Sequence, residues 1–278
     1  ILRVDADTVA LTQRMLEASA EGGNGEGKSA VQRDACAAIV RAFGDRNGAG
    51  DGGDVVGGDG EFGVGGGASA SRRVTAVLPS GAGKTVLALR VAEAVRASLS
   101  VVLVPSIELV SQSYRDWERW RAPGPLDRWS KLAVCSSSSV PASELPRTTD
   151  ASEIASFVVG CAAREGRPRV LFCTYHSAAR VSEALKQTGG AIDLLVCDEA
   201  HRCTGRSTKR DAQPLVEGFL PAARRLFLTA TPRLIGSRRD REGALLQAAS
   251  MDNPVAFGRV AYRLSYSEAM ARGVVAPR

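Results

Sequence analysis

A short apolar run, Val74–Leu78, leads without a break into Pro79-Ser-Gly-Ala-Gly-Lys-Thr85. Residues with helical spacing follow at once: Ala88, Val91, Ala92, Val95 and Leu99. Strand, glycine turn and helix in direct succession leave few folds open. A fully apolar strand is buried on both faces, and a helix that follows it must cross over to a parallel neighbour. The turn carries Gly81 and Gly83, which let backbone N–H groups curl closely round an anion. Lys84 adds a cation and Thr85 a hydroxyl at the helix start, where the dipole also favours negative charge. This chemistry suits a polyphosphate with a divalent cation, cradled by Ser80, Gly81, Ala82, Gly83, Lys84 and Thr85. Leu78 stands where the strict G-x-x-x-x-G-K-[ST] pattern has its first glycine. The bland alternative is a glycine turn that happens to contain Gly-Lys-Thr.

The strict pattern does occur once, at Gly22–Ser29. There the preceding residues, Leu11–Glu21, are polar and helix-like, so no buried strand feeds the loop. Without that strand the backbone N–H groups have no rigid base, and we read the match as a decoy.

Further apolar runs of strand length lie at Val101–Val104, Leu132–Cys135, Val170–Thr174, Ile192–Cys197 and Arg225–Leu228. Helical segments at Ile107–Trp120, Ile154–Ala163 and Ala178–Leu185 fall between most of them. Strands alternating with helices predict a doubly wound parallel α/β sheet with helices on both faces. Ligands of such sheets bind at the carboxyl ends of the strands. Between Gly44 and Ser71, 12 of 28 residues are glycine. Such a stretch buries too little apolar surface to offset its ordering entropy, so a disordered insertion is expected there. The predicted organisation is therefore a flank over 1–43, an insertion over 44–71 and one α/β domain over 72–278.

Composition narrows the classes. A net charge of +6 and a pI near 9.2 agree with an anionic partner such as nucleic acid, though the excess of arginine over lysine has other origins too. Cys36, Cys135, Cys161, Cys173, Cys197 and Cys203 form no C-x-x-C pair, and the chain has only two histidines. A zinc site is not expected; small buried thiols of an intracellular, reducing compartment are. No apolar run approaches the roughly 20 residues needed to cross a membrane, and no secretory signal is visible. A start at Ile1 suggests a fragment or a processed chain.

A second chemical cluster sits where the run Ile192–Cys197 ends in Asp198-Glu199-Ala200-His201. An acidic pair at the carboxyl end of a buried strand can hold Mg²⁺ through Asp198 and orient and deprotonate a water through Glu199. Taken alone, the pair could equally be acidic residues favouring a helix dipole. The upstream Gly-Lys-Thr loop shifts the weight to the first reading.

With these residues in place the chain resembles superfamily-2 helicases and translocases, whose signatures include the Asp-Glu-Ala-His box. Other segments resemble that group in the expected order. Val104-Pro-Ser-Ile-Glu-Leu-Val-Ser-Gln112 looks like its motif Ia. Thr174-Tyr-His-Ser177 looks like the segment that touches nucleic acid, and Thr229-Ala-Thr231 before Pro232 looks like motif III. The wording is most similar to the branch holding the motor subunits of type I and type III restriction enzymes. The segment Ala261–Val275 resembles the exit from the first motor domain of that branch. The resemblance covers roughly residues 72–278 and a short piece before the glycine-rich stretch.

The resemblance implies a RecA-like domain that binds ATP and Mg²⁺ and hydrolyses ATP to move on nucleic acid, most of all double-stranded DNA. It implies Lys84, Asp198 and Glu199 as catalytic residues and Thr85 and Asp198 as Mg²⁺ ligands. His201, Thr229 and Thr231 would couple ATP to movement, and Pro105, Ser106, Thr174, His176 and Ser177 would hold the nucleic-acid backbone. Gln32 resembles the family glutamine that reads the adenine edge. It lies about 24 residues before Lys84 once the glycine-rich stretch is left out, but Val31 stands where the family has an aromatic residue. A second RecA-like domain, which supplies arginines worth roughly 10³–10⁵ in rate, is expected beyond Arg278, so the fragment alone should turn ATP over slowly. Competing readings are an RNA helicase of the Asp-Glu-Ala-His type, a nucleotide-dependent nucleic-acid clamp and an unrelated P-loop kinase. Locally, Thr174 and Ser177 could merely cap a helix, Gln32 could be an ordinary surface residue, Tyr175, Trp117 and Trp120 could serve packing, and Arg238–Arg241 could be a solvated face.

Overall fold

The computed structural model describes residues 26–44, 72–121, 128–137, 141–160, 163, 165–206, 209–235, 238–239, 245–246 and 248–276. The strands β1 (Arg72–Val77), β2 (Leu99–Val104), β3 (Ser130–Val134), β4 (Arg147–Thr148), β5 (Arg169–Thr174), β6 (Leu194–Cys197), β7 (Arg224–Thr229) and β8 (Arg259–Arg263) form one sheet. Their order is β8-β1-β7-β6-β2-β5-β3-β4, and every neighbouring pair is parallel. The helices are α1 (Glu26–Gly44), α2 (Lys84–Ala94), α3 (Ile107–Trp120), α4 (Ala151–Val159), α5 (Ala178–Thr188), α6 (Pro254–Phe257) and α7 (Tyr266–Ala271).

Side chains alternate across a strand, so each run serves both faces of the sheet. Val102 and Val104, Val170 and Phe172, and Leu226 and Leu228 pack into one core with α1, α2, α3 and residues of α7. Val101 and Leu103, Leu171 and Cys173, and Phe227 pack into the other with α4, α5 and α6. This two-sided burial is why the central runs are continuously apolar rather than alternating. The doubly wound parallel sheet expected from the sequence is what forms.

Local chemistry sets the helix starts. Ser106 Oγ accepts from Leu109 N at 3.4 Å at the start of α3. Asp150 Oδ1 accepts from Ser152 N and Glu153 N at the start of α4. Both satisfy N–H groups that a helix leaves open. Trp117 is fully buried, stacked on Trp129 at 6.0 Å and met edge-on by Phe172 at 5.5 Å. Trp120 is 45% exposed and packs at the surface, with the Arg119 guanidinium over its ring at 5.3 Å.

Some boundaries shift. Helix α1 extends to Gly44, which moves that residue out of the glycine-rich stretch expected to be an insertion. The rest of that stretch lies outside the described residues. So do Gly22–Gly25 of the strict phosphate pattern, while Lys28 and Ser29 stand in the first turns of α1. The edge strand β8 carries no buried residue, which is why no apolar run announced it.

Candidate active site

Because the strands are parallel, their carboxyl ends lie along one edge. The sheet order then sets the motifs side by side: the Gly-Lys-Thr loop after β1, Thr229-Ala-Thr231 after β7, Asp198-Glu199 after β6, Pro105-Ser106 after β2 and Thr174–Ser177 after β5. Residues some 150 positions apart in sequence become neighbours.

The loop after β1 takes the shape its glycines allow. Gly81 has φ 83° and Gly83 φ 85°, both left-handed. Ala82 N donates to Pro79 O at 3.2 Å, closing the turn, and Leu87 N donates to Gly83 O to open α2. The Thr85 carbonyl accepts from the Trp117 indole at 3.1 Å, which ties the start of α2 to α3. The Lys84 side chain is 9% exposed, and its Nζ lies 3.7 Å from Glu199 Oε1. The loop and the acidic box therefore face each other. Gln32 also arrives here: its Nε2 lies 2.2 Å from where a Cβ on Gly83 would stand.

Asp198 continues the β6 ladder, with its N–H donating to Leu103 O at 2.9 Å. The chain then turns sharply, and Glu199 takes a left-handed φ of 50°. That conformation is uncommon for a side chain larger than glycine and marks a held geometry. Two contacts hold it. Glu199 N donates to Asp198 Oδ1 at 3.0 Å, and the Tyr175 hydroxyl donates to Asp198 O at 2.8 Å. Burial and the neighbouring Glu199 raise the Asp198 carboxyl from 3.8 to about 6, against the opposing pull of Lys84 and the Glu199 N–H.

A buried carboxylate raised in this way would be relieved by a further cation beside it. Thr85 and Asp198 offer hard oxygen donors, which suit Mg²⁺. Among the described residues no cluster of three or more His, Cys, Asp or Glu could hold a metal by itself. Such a donor set suits only a cation whose remaining ligands are phosphate oxygens and water.

Thr229, fully buried, joins the parts. Its carbonyl accepts from Leu78 N at 3.0 Å, at the base of the glycine loop. Its hydroxyl lies 3.2 Å from His201 Nδ1 and accepts from Thr231 N at 3.2 Å. His201 Nδ1 in turn lies 3.4 Å from Glu199 Oε2. A continuous path of contacts thus runs from Lys84 through Glu199 and His201 to Thr229.

Farther along the edge, Ser106 and Thr174 are helix caps: Thr174 Oγ1 accepts from Ser177 N at 3.2 Å. His176 is exposed, and Pro105, Ser106 and Ser177 are half-buried. Tyr175 is buried, and its bond to Asp198 had no signal in the sequence beyond its place between Thr174 and His176.

Residues 28–234 match the family described as type III restriction enzyme, res subunit. The chain belongs to that family. Two solved structures in the restriction-enzyme branch are similar to it. One is a nuclease-deletion mutant of the Type ISP restriction-modification enzyme LlaGI in complex with a DNA substrate mimic. It is 26% identical over 73% of this chain and 19% of that chain, with a TM-score of 0.56. The other is the ATP-dependent Type ISP restriction-modification enzyme LlaBIII bound to DNA, 27% identical over 72% of this chain and 14% of that chain, also with a TM-score of 0.56. The chain spans less than a fifth of the length of either enzyme. No curated protein sequence matches it. As a res-subunit family member it carries a RecA-like, helicase-type ATP-binding domain, in the branch its motifs resemble. No helix among the described residues is long and apolar enough to cross a membrane.

Proposed function

We propose that this chain is the ATP-binding motor domain of a DNA translocase or helicase. It hydrolyses ATP to move along double-stranded DNA. The observation that carries this reading is the contact path from the phosphate loop through Glu199 and His201 to Thr229, all on one sheet edge. The DNA named with both similar enzymes supports DNA over RNA as the track. The motor domain spans 72–278. Before it, a flank ending with helix α1 at Gly44 carries Gln32, which reads the adenine edge, and 45–71 are an insertion.

In this mechanism the N–H groups of Ser80–Lys84 and the Lys84 ammonium hold the phosphates. Thr85 and Asp198 would hold Mg²⁺, which would supply positive charge against the phosphate oxygens. Glu199 holds the attacking water and accepts its proton. His201, Thr229 and Thr231 pass the state of the nucleotide towards β2 and β5. There Pro105, Ser106, Thr174, His176 and Ser177 meet the DNA backbone through hydroxyls and N–H groups, contacts that do not depend on sequence. A second RecA-like domain following in the full-length protein closes over the ATP and contributes arginines.

The test is the ATPase rate of the full-length protein with duplex DNA, single-stranded DNA, RNA and no nucleic acid, with Lys84→Ala as control. Stimulation by duplex DNA, lost in the control, is expected. Stimulation by RNA alone overturns the DNA assignment. Tight ATP binding without stimulated turnover overturns the motor and leaves a clamp.

A further inference from the structure

The segment after β8 folds back onto the phosphate loop. Helix α7 begins with a capping box, in which Ser265 Oγ accepts from Glu268 N while the Glu268 carboxylate accepts from Ser265 N. A turn then reverses the chain, with Gly273 N donating to Met270 O and Val274 N to Ala269 O. Ala269 and Val274 are buried in the same core as Val31 and Ile39 of α1.

This turn grips α1 and the loop together. A Cβ on Gly27 would stand 1.9 Å from Arg272 O, so α1 and the turn meet backbone to backbone. Arg272 Nη1 pairs with Asp34 Oδ2 of α1 at 3.3 Å. Val275 Cγ1 lies 3.8 Å from the Cβ position of Gly81, while Gln32 occupies the Cβ position of Gly83. The two left-handed glycines of the loop thus have different neighbours, one on the turn and one on α1. Those neighbours are tied to each other. Close-packed groups transmit displacements rather than absorb them.

We propose that the 272–276 turn is a positioning element for the nucleotide site, with Arg272 and Val275 carrying the state of the phosphate loop into the C-terminal segment. The proposal rests on the reading of the Gly-Lys-Thr loop as the ATP site. Phosphates drawn against the N–H groups of Ser80–Lys84 fix Gly81 and Gly83, and the turn and α1 tighten with them. On the proposed architecture this segment leads to the second motor domain, so the turn is where nucleotide occupancy first reaches the chain between the two domains.

The test is amide hydrogen exchange of the full-length protein with and without Mg²⁺ and a non-hydrolysable ATP analogue. Exchange should slow about tenfold or more both in 78–90 and in 264–276. In Arg272→Ala the response of 264–276 should disappear while that of 78–90 stays, and Arg272→Lys should restore it. Gly27→Ala, which forces the turn off α1, should act like Arg272→Ala. A wild-type protein that slows in 78–90 but not in 264–276 overturns the proposal and leaves the ATP site standing. Full responses at 264–276 in both Arg272→Ala and Gly27→Ala overturn it as well. No slowing in 78–90 overturns the ATP reading, and the proposal with it.

Discussion

Asp198→Asn should make the protein more stable and unable to work. Burial and Glu199 lift the Asp198 carboxyl from 3.8 to about 6, so the folded chain holds this proton more tightly than the unfolded chain. Stability therefore falls as pH rises between those two values, and above about 6 the full penalty is present. The difference between those two values corresponds to roughly 3 kcal/mol. Asparagine mimics the neutral acid in shape and can still accept from Glu199 N. In urea unfolding without nucleotide at pH 7.5, the variant should gain up to about 3 kcal/mol over wild type. Near pH 4 the gain should shrink below about 1 kcal/mol, because wild type is then mostly protonated in the fold. Addition of Mg²⁺ and ATP should stabilise wild type far more than the variant, since ligand binding to the folded state adds stability by mass action. A variant no more stable than wild type at pH 7.5, or one with the same gain at both pH values, refutes the argument that Asp198 waits in the fold for a counter-charge.

Tyr175→Phe removes the donor to Asp198 O. It should cost about 1 kcal/mol of stability and lower the turnover rate with little change in ATP affinity, measured by steady-state kinetics. Gly83→Ala places a Cβ at φ 85° against Gln32, so ATP binding measured by calorimetry should weaken sharply and stability should fall by about 1–2 kcal/mol. Glu217 bonds Arg73 at 2.7 Å and the fully buried Arg225 at 3.1 Å. Glu217→Ala should cost about 3 kcal/mol or more in urea unfolding, because it leaves a buried guanidinium without that counter-charge.

The sequence carried the interior of the fold well and its rim poorly. Strands β2, β5, β6 and β7 are buried on both faces, so their continuous apolar runs stand out, and the run Ile107–Trp120 is α3 to the residue. Strands β4 and β8 lie at the two edges, are short or exposed, and lack that signal. The phosphate loop and the acidic box were legible because each sits directly after an apolar run. Contacts made across the sheet order were not. The Tyr175 bond to Asp198 and the grip of Arg272 and Val275 on α1 and the loop join residues far apart in sequence, with nothing local to mark them.

The order β8-β1-β7 has a consequence for synthesis. Both sheet neighbours of β1 come late in the chain, from Arg224 and Arg259 onward. At about 5–20 residues per second, β1 leaves the ribosome roughly 8–30 s before its first partner exists. During that interval the strand bearing the phosphate loop has both edges open, an invitation to pair with another chain. Helix α1 and strands β2, β5 and β3 can meet early, but the nucleotide cradle closes only when β7 slides between β1 and β6. The strand that completes the sheet also brings Thr229, so the newborn protein becomes competent to grasp its ligand at the same moment that its most aggregation-prone edge is covered.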